Sequence, residues 1–175
     1  MPWFLASGVF GTIGGALFYA VIDATTPAAN IYGYSVLLAL GAGFAQQAAY
    51  SVAAAKVEPH HVPDSVGFIN TAQIGSIVIA LTIASSVFQN VGFRHMADAL
   101  EGLGFSTADI SGALTGRKSS IFSQVTPEIQ QRVIEGIVKT INDTYILVIV
   151  AGALLTIGAA CLKREKLIMD MSAGA

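Results

Sequence analysis

Charge is scarce in this sequence: 11% of its 175 residues are Asp, Glu, Lys or Arg, against about 25% in an ordinary soluble domain. With 54% hydrophobic residues, too little polar surface is left to coat a water-soluble globule, and the same figure excludes a collagenous or disordered chain. A single cysteine excludes an internal disulfide framework and a thiolate-cluster metal site. A formal net charge of -2 excludes electrostatic nucleic-acid binding as a main activity. No Gly-rich phosphate loop, nucleophile elbow or paired-carboxylate arrangement is present, so neither an enzyme nor a cofactor is expected.

The charges that do occur are unevenly placed: residues 1-22, 31-55, 65-93 and 144-162 contain none. A charge at the centre of a membrane helix costs about 2.5 to 3.5 kcal/mol on insertion scales, and about 20 apolar residues span the hydrocarbon core. The pattern therefore predicts an all-α membrane protein with four transmembrane helices, at residues 1-22, 31-55, 65-93 and 145-162. Between them lie a turn at 23-30, a turn at 56-64 and a long segment at 94-144, and a tail follows at 163-175. Lys163, Arg164 and Lys166 close behind the fourth span place the tail in the cytoplasm. Four crossings then put both termini and the 56-64 turn inside, with 23-30 and 94-144 outside. Five Lys or Arg in 94-144 run against that assignment only weakly, because long segments translocate largely regardless of basic count.

Small residues recur at four-residue steps, which stacks them on one helix face and lets backbones approach. Ser7, Gly11 and Gly15 form such a row in the first span, and Gly67, Thr71 and Gly75 in the third. These glycines are read as helix-packing positions. In the 94-144 segment, Ser106 and Asp109 have capping-box spacing, with Ile110 and Leu114 on one face and Gly116 ending the helix. Thr126 and Pro127 mark a stronger start, followed by Ile129, Val133, Ile137 and Ile141 on one side. This amphipathic helix is expected to rest either on the outer leaflet or on the mouth of the protein. Asn142, Asp143 and Thr144 match a glycosylation acceptor, but so close to the fourth span that modification is not expected.

Only the second and third spans carry amide side chains. An unpaired polar group in hydrocarbon costs several kcal/mol and must face protein or water. Gln46, Gln47, Tyr50, Asn70 and Gln73 therefore point to a shared polar seam or cavity. Two readings stand: interhelical hydrogen bonds, typically worth about 0.6 to 2 kcal/mol, or the lining of a pore or ligand path. His60 and His61 are adjacent, so their side chains should diverge, and with Glu58 and Asp64 they read as a solvated turn rather than a metal site. Cys161 reads as a small packing residue. No Asp, Glu, Lys, Arg or His lies within a span, so proton-coupling groups are not expected in this chain.

The run IYGYSVLLALGAGFAQQAAYSVAAAKV (31-57), followed by DSVGFINTAQIGSIVIALTIASSVFQN (64-90), resembles the last quarter of fungal major facilitator superfamily efflux transporters. More narrowly it resembles the fourteen-spanning drug:proton antiporter subfamily. The amino-terminal PWF, the long segment before the last span and the closing LKREKL are also similar, and the most specific element is VGFIN-x-AQIG. The resemblance implies that the four spans are the last four of fourteen, with the second and third bordering a central cavity. It carries substrate contact onto Gln46, Gln47, Tyr50, Asn70 and Gln73, with Gly41 and Gly43 as helix-packing positions that allow close approach. The implied partners are the lipid bilayer, a hydrophobic small-molecule substrate, protons and the missing amino-terminal helices, at the plasma membrane. Four spans cannot build the two bundles that rock in alternating access, so the chain is expected not to transport alone. The competing expectation is a stand-alone four-span accessory protein that assembles through its glycine faces; a small homo-oligomeric carrier ranks below both, for want of an intramembrane carboxylate.

Overall fold

A computed structural model describes residues 2–114 and 125–162, and the described residues contain helices and no strand. Gly116 and the Lys163, Arg164 and Lys166 cluster lie outside the described residues. The helices are α1 (Pro2–Ala20), α2 (Ala28–Lys56), α3 (Val62–Ala99), α4 (Thr107–Leu114), α5 (Pro127–Thr144) and α6 (Ile146–Cys161). Four helical stretches are long and apolar enough to cross a membrane: α1, α2, α3 with the turn before it, and α5 running into α6.

Local chemistry accounts for the boundaries. After α1, the Asp23 carboxylate accepts hydrogen bonds from the Thr25 amide and hydroxyl, both at 2.8 Å, and from the Thr26 hydroxyl at 2.9 Å. These bonds hold Asp23 below the usual carboxylate range, the Thr25 hydroxyl contributing most. Pro27, at φ -59° and ψ 138°, caps α2, which starts at Ala28, three residues before the charge pattern places the span. Val57 is extended and ends α2, and a 3-10 turn over Pro59–His61 leads into α3.

The largest departure from the sequence reading is at the far end of α3. The third span was expected to stop at Phe93, yet the helix continues to Ala99 and reaches 38 residues, or roughly 57 Å at 1.5 Å per residue against a core of about 30 Å. The extension is stable because Met96 and Leu100 bury themselves against Ile110 of α4 and Val133 of α5. Gly102 and Gly104, at φ 79° and 75°, then adopt the left-handed conformation that glycine tolerates without cost and turn the chain into α4. Ser106 and Asp109 start α4 reciprocally: Asp109 Oδ2 accepts from the Ser106 amide at 3.0 Å and hydroxyl at 2.6 Å, and the Asp109 amide donates to Ser106 Oγ at 3.3 Å. Of the two surfaces open to the amphipathic helix α5, the structure places its Val133 side on α3, on the protein itself.

Within the spans α1 is central, packed against α2 on one side and α6 on the other. Ser7 Oγ donates to the Gly41 carbonyl of α2 at 2.5 Å. Gly8 and Gly152 bring α1 and α6 into backbone contact: a Cβ placed on Gly152 would stand 2.6 Å from the Thr12 amide nitrogen. Gly11, Gly15 and Gly41 lie in these interfaces, whereas nothing stands within 4 Å of a Cβ built on Gly43, Gly67 or Gly75. Those three face open space among the described residues. Between α5 and α6, Tyr145 keeps helical angles and stacks on Phe18 of α1 at 4.3 Å. Cys161 is exposed rather than packed.

Candidate functional site

α3 is nearly bare through its apolar stretch, its buried residues being Gly92 and Met96 near the far end. Phe68, Ile74 and Leu81 are each more than 60% exposed. In a bilayer an apolar face can meet lipid, but a polar one needs partners, and α3 carries both.

The polar side chains meet near the start of α3. Tyr50, half-buried on α2, reaches across with its hydroxyl 2.5 Å from Asn70 Oδ1 and 3.1 Å from Gln73 Oε1. A phenol has one proton to donate, so it serves one of the two amide oxygens at a time. Asn70 and Gln73 are three residues apart on one helical face, which is why one phenol serves both. Three of the five predicted residues thus form a single group. Gln46 and Gln47 do not join it: both are exposed, one turn before Tyr50 on α2. Beside them Phe44 packs against Trp3 at 5.4 Å and Phe10 at 6.1 Å.

Two further features were not visible from residue spacing. An apolar groove of about 490 Å³ runs between α3 and the α5–α6 junction, lined by Leu81, Phe88, Tyr145, Val148 and Ala151 among others. At the far end, His95 Nε2 of α3 lies 2.9 Å from Asp143 Oδ2 of α5. This half-buried pair borders a second depression of about 600 Å³ with Arg94 and Asp98. His95 lies two residues past the expected end of the span and was read as part of a loop; carried on a continuing helix, it comes into line with α5. Asn142, beside the pair, is buried and donates through Nδ2 to the Ile22 carbonyl at 2.6 Å. The nitrogen that glycosylation would use is already bonded inside the protein.

The fold and the seam together define a multi-pass integral membrane protein, with a tyrosine-centred polar group between two helices and an apolar groove beside one of them. The sequence is 40% identical to the efflux pump patC of Aspergillus clavatus over 159 residues, which is 91% of this chain and 28% of that protein. It is 37% identical to the MFS-type transporter patC of Penicillium expansum over 94% of this chain and 30% of that protein, and 36% identical to the efflux pump alnA of Emericella nidulans over 100% and 31%. The chain is therefore a homologue of fungal efflux transporters of the major facilitator type, spanning less than a third of the length of these relatives. No protein-family model and no solved structure matches it.

Proposed function

We propose that this chain supplies the carboxy-terminal four spans of a proton-coupled efflux transporter for hydrophobic small molecules, with α2 and α3 walling the substrate path. The observation that carries the reading is the Tyr50, Asn70 and Gln73 group, set on the two helices whose remaining faces are least covered by the described residues. Exposed amides at Gln46, Gln47 and Asn70 require water or further protein in a bilayer, and a hydrated path between helix bundles provides both. The apolar groove along α3 suits a hydrophobic substrate. Coupling groups belong elsewhere in such a transporter, since the charge-free core of each span offers no carboxylate or imidazole. Residence in the plasma membrane with both termini cytoplasmic belongs to the same reading.

The test is made in a full-length transporter that contains this segment. Gln73→Leu, Gln46→Leu and Tyr50→Phe are expected to alter resistance or efflux of a hydrophobic compound while leaving membrane levels near normal. An unchanged efflux profile in all three would reduce the group to interhelical packing and remove the basis of the reading.

A further inference from the structure

The turn between α2 and α3 reads Glu58, Pro59, His60, His61, Val62, Pro63, Asp64. Neighbouring histidines diverge on an extended chain, but here the 3-10 turn, closed by the His61 amide donating to the Glu58 carbonyl at 2.8 Å, sets a different geometry. The two imidazole rings lie with centroids 4.0 Å apart and planes tilted by 43°, and His60 Nε2 lies 3.5 Å from Glu58 Oε2. One ligand atom from each of Glu58, His60 and His61 falls within 4.8 Å of the others. On the other side, Asp64 Oδ2 stands 3.5 Å from His61 Nδ1.

We propose that Glu58, His60 and His61 form a binding site for a borderline divalent cation, zinc foremost, with Asp64 as a positioning residue. Two imidazoles and one carboxylate are a zinc donor set, and a mixed nitrogen and oxygen set discriminates against magnesium and calcium, which take all-oxygen shells. Zinc ligands at about 2.0 to 2.2 Å stand roughly 3.4 Å from one another around a tetrahedral ion. The three donors therefore close by roughly 1 to 1.5 Å, within reach of exposed side chains turning about their own torsions. Pro59 and Pro63 stiffen the backbone on either side, which limits what is lost on ordering. Asp64, whose Oδ2 stands 3.5 Å from Nδ1 of His61, is placed to steer that ring and leave its other nitrogen toward the ion, the usual part of an outer carboxylate. His61 and Asp64 also border a depression of about 410 Å³ between α2 and α3, which keeps the site open to solvent. A bound ion would clamp the hairpin that carries Tyr50 on one arm and Asn70 on the other. The inference stands apart from the transport reading, because it concerns the turn alone.

The experiment uses the full chain purified in detergent micelles, titrated with Zn2+ by calorimetry and with Co2+ by visible absorption. One ion per chain is expected, with no competition from excess Mg2+. His60→Ala and His61→Ala should each weaken zinc binding at least about tenfold, and Asp64→Asn about tenfold. His95→Ala, the remaining histidine position, should leave binding unchanged, and far-ultraviolet circular dichroism should show native helicity in every variant. Absence of saturable one-to-one binding in the native chain overturns the proposal, as does undiminished affinity in the His60→Ala/His61→Ala double variant.

Discussion

Replacing Gly152 by alanine is the most direct probe of how α1 and α6 are held together. The added methyl would lie 2.6 Å from both the amide nitrogen and the hydroxyl oxygen of Thr12, and 3.0 Å from the Gly8 carbonyl oxygen. Carbon needs about 3.5 to 4.0 Å from such atoms, so the helices must part by close to 1 Å. Two of the three opposing atoms are backbone and cannot swing aside. Overpacking of this kind costs about 1 to 3 kcal/mol, a factor of roughly five to 150 in the folded population. An opposing gain exists, because alanine is favoured over glycine in a helix interior by up to about 1 kcal/mol. Gly11→Ala isolates that gain, since its methyl would meet the nearest atom, the Gly152 Cα, at an ordinary 3.8 Å.

The expected result is therefore a difference between two chemically identical substitutions: Gly152→Ala destabilises, and Gly11→Ala is neutral or mildly stabilising. Reversible unfolding in mixed micelles, followed by circular dichroism as denaturing detergent is added, gives the two midpoints. Gly8→Ala should resemble Gly152→Ala, and the double variant should cost less than the sum, because each methyl meets the other residue's carbonyl across the same gap. Equal stability of Gly152→Ala and Gly11→Ala, or a strictly additive double variant, would refute the backbone-contact account of this interface.

Asn142→Ala removes a buried donor to the Ile22 carbonyl and an Oδ1 atom that has no hydrogen-bond partner among the described residues. A loss of about 1 to 3 kcal/mol is expected from the orphaned carbonyl and the space left behind, read as an earlier unfolding midpoint. Asn142 should also remain unglycosylated on expression in a eukaryotic host, and an endoglycosidase-sensitive shift in gel mobility that Thr144→Ala abolishes would contradict the buried placement. Asp109 is held below the usual carboxylate value of 3.8, first by the Ser106 hydroxyl and then by the Ser106 amide. A carboxylate depressed in the folded state contributes stability that is present above its unfolded value and is lost as pH falls through the folded one. The start of α4 should thus loosen only in acid, and Asp109→Asn should abolish that dependence. An NMR titration of the Asp109 carboxyl with its midpoint at or above 3.8 would contradict the capping arrangement.

The interiors of the spans were legible because exclusion of charge is a property of the solvent that surrounds them, and composition alone records it. Their ends were not. Arg94, His95 and Asp98 look like the beginning of a loop when hydropathy decides, yet one side of the same turn carries Met96, which is fully buried among helices that are distant in sequence. Glycine rows name a helix face but not the turn at which a neighbour crosses it: Gly11 and Gly15 lie on the side of α1 that meets α6, while the closest backbone approaches fall at Gly8 and Gly152. The polar group follows the same logic. Spacing puts Gln46 or Gln47 on the side of α2 that carries Tyr50, and of the three Tyr50 is the one that bonds to Asn70 and Gln73 of α3. Periodicity thus identifies which side of a helix is special, and the place where a neighbouring helix crosses decides which residue on that side makes the contact.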